Sequence, residues 1–216
     1  MYSRGLKRMT AARSIAMSFG ILGGIGAMIH GVGEILQGSV KPEGIFIPSW
    51  TQGPIALYFD GDPAITIVPN LLYTGILAVI ISTIMILWSG ACLNRKHGGL
   101  VLVLLAVGAL LFGGGGGPPI LALIAGLSGL GINAKYTWWR KHLSNRTRHI
   151  LAAAWPYVFF VCLANGLFLV VGHVVAAYYF APVDGDIFLN SFLLSTPLLL
   201  ISIFTGIFYD IENKPT

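Results

Sequence analysis

Long apolar runs, interrupted by short charged or Gly/Pro-rich stretches, fill the chain from Ile15 to Tyr209. Runs of this length predict helices that cross a membrane rather than core helices of a soluble domain. They place spans at 15–37, 68–93, 100–112, 120–134, 151–179 and 187–209, with an external loop at 38–67 and an internal basic loop at 135–149. The predicted architecture is an all-α integral membrane protein, with about six transmembrane helices in one bundle that forms a single polytopic domain over residues 1–216.

The middle of the chain decides the count. As one helix, Gly99–Ala134 would run about 54 Å, too long for one span and slightly short for two across a core of about 30 Å. Gly113–Gly117, followed by Pro118 and Pro119, breaks it, so the third and fourth spans read as a short hairpin. Charge supports two crossings. With six spans and both termini on one side, that side holds every one of the thirteen Lys and Arg except Lys41. A single crossing would move Lys135–Arg148 to the other side and erase the asymmetry that orients membrane proteins. The basic side is then cytoplasmic, in a plasma or inner membrane, and Glu43, Asp60, Asp62, Asp184 and Asp186 fall outside.

Composition agrees: 56% of residues are hydrophobic and 10% charged, against about 25% charged in soluble domains. The net charge of +5 therefore reads as an orientation signal and not as a nucleic-acid surface. The 28 glycines suit helices that approach closely, and two cysteines, Cys92 and Cys162, exclude a disulfide framework. The basic N-terminus resembles a targeting segment, but no small-residue cleavage site follows, so the first run reads as a retained span. In the external loop, Trp50, Tyr58 and Phe59 among Pro42, Pro48, Pro54 and Pro63 suggest backbone that caps the bundle or acts as a lid.

Candidate chemistry begins in the first span. Ala16, Gly20, Gly23, Ala27, His30, Glu34 and Gln37 follow steps of four and three, one stripe of a helix, and its small residues should face other helices. His30 and Glu34 then lie in a protein-facing seam near the outer end, within mutual reach at i,i+4. An ionisable pair inside a span points to proton coupling or substrate binding, with His173 and Gln37 as further coupling residues, against the plainer reading of a hydrogen bond that fixes packing. His173 falls at a comparable depth, so His30, Glu34 and His173 are the ligands if any metal is bound, although no metal or other cofactor is expected. The glycines Gly113, Gly114, Gly115, Gly116 and Gly117 are either backbone ligands at a helix break or simply a tight turn.

Lys135, Trp138, Trp139, Arg140, Lys141, Arg146 and Arg148 fit lipid headgroups. Asp60-Gly-Asp62 and Asp184-Gly-Asp186 read as turns more than as calcium ligands. Gly75/Ser82/Ser89 and Ser191/Ser195/Ser202/Thr205 read as interhelical seams, and Asn165 and Asn190 as hydrogen-bonding amides. No nucleophile with a base and an orienting group is evident, which makes an enzyme the minority reading. The lead is a transporter or permease of a small solute or ion with its polar site in the outer half. The alternatives are a non-catalytic subunit or scaffold that binds a membrane-protein partner, further copies of itself or lipid, and a metal-dependent intramembrane enzyme.

Overall fold

The computed structural model describes residues 9–53, 56, 63–180 and 184–213. Its elements are α1 (Ala11–Gln37), β1 (Phe46–Pro48), β2 (Pro63–Ile65), α2 (Leu71–Ala91), α3 (Gly98–Leu111), α4 (Gly117–Gly129), α5 (Thr137–His142), α6 (Asn145–Leu167), a π-helical turn (Phe168–Gly172), α7 (His173–Tyr179) and α8 (Gly185–Asn213). Four helical segments are long and apolar enough to cross a membrane: Ala11–Gln37, Leu71–Ala91, Asn145–Ala176 and Gly185–Asn213. The helices α3 and α4, of 14 and 13 residues, are apolar but shorter.

Helix α1 is central and packs on α2, α3, α4, α6 and α8. Its small residues make this geometry available. Gly31 and Gly75 face each other across the α1/α2 contact, each with its carbonyl against the other's Cα, leaving no room for a Cβ on either. Ala16, Gly20, Gly23, Ala27, His30 and Glu34 are all buried, so the stripe read from the sequence is the packed face. The seams Gly75/Ser82/Ser89 on α2 and Ser195/Ser202/Thr205 on α8 are buried as well. Two apolar clusters flank α1: Ala12, Ala16, Met85, Leu102 and Ala106 on one side, and Ile15, Phe19, Leu121, Cys162 and Leu199 on the other.

Helices α3 and α4 form an antiparallel hairpin. Gly99 lies against Gly126 and Gly129, and Gly126 against Val103, so their far ends meet and residues 112–116 make the tip. Three glycines do different work there. Gly113 and Gly115 have φ of +86° and +80°, left-handed values that cost other residues energy, whereas Gly117 already belongs to α4. Pro118 and Pro119 occupy the first turn of α4, where a missing N–H costs nothing.

Two expected loops are more ordered than the sequence suggests. Segment 38–67 carries the antiparallel ribbon β1–β2, with Ile47 opposite Ala64. Thr66 bridges Phe112, Gly113 N–H donates to the Ile65 carbonyl at 2.8 Å, and Ile67 N–H donates to the Leu111 carbonyl at 3.1 Å, so the ribbon is sewn to the hairpin tip. Pro54, Tyr58, Phe59, Asp60 and Asp62 lie outside the described residues. Segment 135–149 is not a loop throughout, because it contains α5 and the first turn of α6, where the Ser144 hydroxyl accepts from Thr147 N–H as N-cap. The fifth apolar run is likewise not one regular helix, since the π-helical turn interrupts it before His173.

The opposite end of the molecule is held by Asp210. Its carboxylate accepts from Ala11 N–H at 2.6 Å and Ala12 N–H at 3.3 Å, placing the end of α8 beside the first turn of α1. A carboxylate on helix N-terminal amides satisfies donors that have no partner inside the helix. Arg140 donates to the Ile211 carbonyl at 2.9 Å, and Arg148 lies 3.6 Å from the Glu212 carboxylate. Tyr136, whose hydroxyl donates to the Gly131 carbonyl, is pushed up to about 12 by burial and then by the Asp210 charge.

Candidate functional site

At the ribbon end of α1, the predicted pair His30 and Glu34 is 4% and 0% exposed, and a residue from segment 38–67, the strap that carries the ribbon, joins it. Ser49, also fully buried, lies between them: its hydroxyl donates to Glu34 Oε1 at 3.2 Å and is 2.9 Å from His30 Nδ1. A serine hydroxyl has one hydrogen. With it directed at Glu34, Ser49 accepts from His30, which fixes the proton on Nδ1. His30, Ser49 and Glu34 thus form a directed chain. When His30 is an imidazolium and Glu34 a carboxylate, passage of the Nδ1 proton to Ser49 and of the Ser49 proton to Glu34 Oε1 leaves a neutral imidazole protonated on Nε2 and a neutral carboxylic acid, with no net movement of heavy atoms.

Gln37 holds this strap down. Its amide donates to the Pro48 carbonyl at 2.8 Å and the Ser49 carbonyl at 3.0 Å, while Trp50 packs on Gly33. Gln37, read from the sequence as a coupling residue, is here bonded to the strap backbone.

The glycine turn completes the enclosure. A Cβ added to Gly113 would fall on both Glu34 carboxylate oxygens and on Thr74 Cγ2, and one added to Gly115 would fall on the His30 ring. Two candidates that are far apart in sequence therefore meet. Thr66 Oγ1 and Thr74 Oγ1 are 2.8 Å apart, and Thr66 also accepts from Val68 N–H. Glu34 Oε2 is buried and has no hydrogen-bond partner among the described residues.

His173 sits elsewhere on His30. Both imidazoles line a cavity of about 70 Å³, with Pro118, Leu169, Phe188 and Phe192 among its walls. The π-helical turn positions His173, because its Nδ1 donates to the Phe168 carbonyl at 3.3 Å, five residues back. Among the described residues no three His, Cys, Asp or Glu side chains are grouped to hold a metal ion. The set His30, Glu34 and His173 is divided accordingly: the imidazoles share the cavity, and the carboxylate is bonded to Ser49.

The remaining candidates separate by exposure. Lys135, Trp138, Lys141 and Arg146 are exposed, as headgroup contact requires, but Trp139 packs edge-on against Phe204 and Phe208, and Arg140 and Arg148 are turned to α8. Asp184 accepts from Asp186 N–H at 2.8 Å, a turn leading into α8. Asn165 donates to the Ser191 carbonyl at 3.0 Å, an interhelical bond.

Ser49, Thr66, Thr74 and Asp210 escaped the sequence reading. Only Asp210 carried a signal, four residues beyond Gly206 and so on the seam of Ser202. The chain matches no protein-family model, no curated protein and no solved structure.

Proposed function

We propose that this is a six-span transporter or permease of a small solute or ion, with its basic end and both termini in the cytoplasm of a plasma or inner membrane, surrounded by lipid. The buried chain His30–Ser49–Glu34 carries the reading. An ionisable pair inside a membrane helix is costly to retain for packing alone, and hydrocarbon gives it no solvent to exchange protons with. Here the pair is closed by a strap from one side and by a broken helical hairpin from another. Irregular backbone at membrane depth is characteristic of places where transporters hold ions and substrates. The side chains His30 and Glu34 would couple proton movement to the solute, and Ser49 would pass the proton between them.

The test is reconstitution into vesicles that enclose a pH-sensitive dye, with imposed gradients of sodium, potassium, small anions or short carboxylic acids. One of these gradients should change the internal pH in wild type, and Glu34→Gln should abolish the change. If no gradient moves the dye, or if Glu34→Gln responds like wild type, the transport reading falls in favour of a scaffold. Cysteines placed at Lys41 and Lys141 should label from opposite sides of the same vesicles, and labelling from one side would refute the six-span arrangement.

A further inference from the structure

The cavity shared by His30 and His173 has a character of its own. It lies among α1, α4, the π-helical turn, α7 and α8, and its volume is about 70 Å³. Beside it α1 and α4 are in close contact, since a Cβ added to Gly26 would come within 2.6 Å of Pro118. The π-helical turn lies at the same level. Its bonding pattern carries an extra residue around the turn, which widens the helix, and Leu169 and Val170 of that turn are walls of the cavity. The space thus adjoins an irregularity in the backbone, a feature that costs regular helical bonding and recurs at functional sites.

The two imidazoles are held from outside the cavity. His30 Nδ1 is bonded to Ser49, and the Phe168 carbonyl accepts from both Nδ1 and the backbone N–H of His173. Neither Ser49 nor Phe168 is part of the lining, so both rings are oriented before anything enters. Among the described residues the imidazoles are the polar side chains of the lining, which includes no Lys, Arg, Asp or Glu. Aliphatic side chains and the rings of Phe188 and Phe192 make up the rest, with Phe192 half-exposed on the outside of the bundle. An apolar wall with a few fixed polar groups is the composition of a small-molecule site.

Size and charge narrow the occupant. Benzene fills an apolar cavity of about 150 Å³, so 70 Å³ admits something smaller. Water suits it poorly, because each buried water makes about three hydrogen bonds and the side chains here offer two imidazole edges. An ion would lose its hydration against walls that carry no opposite charge. We propose that this cavity binds a small uncharged molecule of about three to five non-hydrogen atoms with one polar end, of the class of short amides, ketones and alcohols. The polar end meets the imidazoles, and the carbon end packs on Leu121, Leu169, Phe188 and Phe192. The proposal rests on the reading of the molecule as one that handles a small solute and narrows that solute to an uncharged one, but it requires only binding. His30 lines the cavity and also heads the chain through Ser49, so a solute there touches the group that the transport reading has carry the proton.

Acetamide and acetone test it against acetate and acetamidinium, which have the same shape but carry a charge. Each is titrated into the full chain in detergent with its histidines labelled by ¹⁵N, at about pH 8.5, two units above the ordinary imidazole range. Of the 5 histidines, His30 and His173 should show nuclear magnetic resonance shifts that saturate with acetamide and acetone, while His97, His142 and His149, which do not line the cavity, stay in place. Acetate and acetamidinium should bind at least about tenfold more weakly. His173→Leu should weaken acetamide about tenfold, read from the His30 signal. Val174→Phe places a ring in the cavity and should abolish acetamide binding, and it carries the test if His173→Leu does not fold. Charged and uncharged probes binding equally, all histidines shifting together, no shift with acetamide, or binding retained in Val174→Phe overturns the proposal. Acetamide binding without any flux in vesicles leaves the site standing and removes the transport reading. Flux without acetamide binding does the reverse.

Discussion

Replacing Gly113 by alanine tests whether the glycine turn is fitted to the site or merely reverses the chain. Two costs add at this position. The φ of +86° is left-handed, which costs a residue with a Cβ about 1–2 kcal/mol. The added methyl would also strike the Glu34 carboxylate and Thr74, and overpacking of this kind costs about 1–3 kcal/mol. The expected loss is about 2–5 kcal/mol, which at roughly 2–4 °C per kcal/mol for a chain of this size lowers the melting temperature by about 4–20 °C. Gly116 is the internal control. It has φ of −90°, and the nearest atom to an added Cβ is 4.0 Å away, so Gly116→Ala should stay within about 0.5 kcal/mol of wild type. Both variants are followed by tryptophan fluorescence during thermal unfolding in the same detergent. If Gly113→Ala and Gly116→Ala melt together, the turn does not press on Glu34 and the assembled site is refuted.

Three further outcomes follow from other contacts. Asp210→Ala removes the acceptor of two α1 amides and should cost about 2–4 kcal/mol, whereas Asp210→Asn, which keeps one oxygen acceptor, should cost about half as much; equal and small losses in thermal unfolding would exclude the cap. Gln37→Ala removes two bonds that hold the strap, so hydrogen exchange of residues 45–50 should accelerate about 5- to 30-fold, and unchanged exchange would show that the strap is secured elsewhere. Tyr136 is raised to about 12 by burial and the Asp210 charge, so folding stabilises its protonated form. That contribution is complete below the ordinary tyrosine range near 10 and is lost as pH rises through about 12. An absorbance titration at alkaline pH should show one late-ionising tyrosine that disappears in Tyr136→Phe.

Helix α1 was legible in the sequence because small residues at alternating steps of three and four suit a packed face, and the stripe from Ala16 to Glu34 is buried; its central place, which also buries Ile15, Phe19, Leu22, Gly24, Gly31 and Gly33 off that stripe, was not legible. The hairpin was legible for a related reason, since consecutive glycines and prolines cannot continue an apolar helix. What pattern cannot provide is which elements are neighbours. That the tip of the hairpin lands on His30 and Glu34 depends on α1 packing against α4, a contact between residues about a hundred positions apart. Ser49 was invisible because nothing in a proline-flanked loop distinguishes one serine from another until the loop folds back. Charge misled in one respect. The cluster Lys135–Arg148 was read as a headgroup surface throughout, but a positive residue near a membrane announces only its side, and Arg140 and Arg148 use theirs on α8.

The shortness of the hairpin explains why strap and site occur together. Helix α3 has 14 residues and runs about 21 Å, well short of a hydrocarbon core of about 30 Å. A helix that ends at that depth leaves carbonyls of its last turn without partners, and lipid offers none. The strap supplies one through Ile67 N–H on the Leu111 carbonyl, and takes up Gly113 N–H on Ile65 in return. This half of the strap cannot lift without exposing backbone of the hairpin as well. The other half is different. Pro48 and Pro63 are paired at the end of the ribbon, and neither has an N–H, so the ladder stops there for want of donors. Beyond that point the strap is tied to α1 instead, by the Gln37 amide on the Pro48 and Ser49 carbonyls and by the Ser49 hydroxyl on Glu34 and His30. The two halves of the strap thus answer to different elements, residues 65–67 to the hairpin and residues 48–50 to α1.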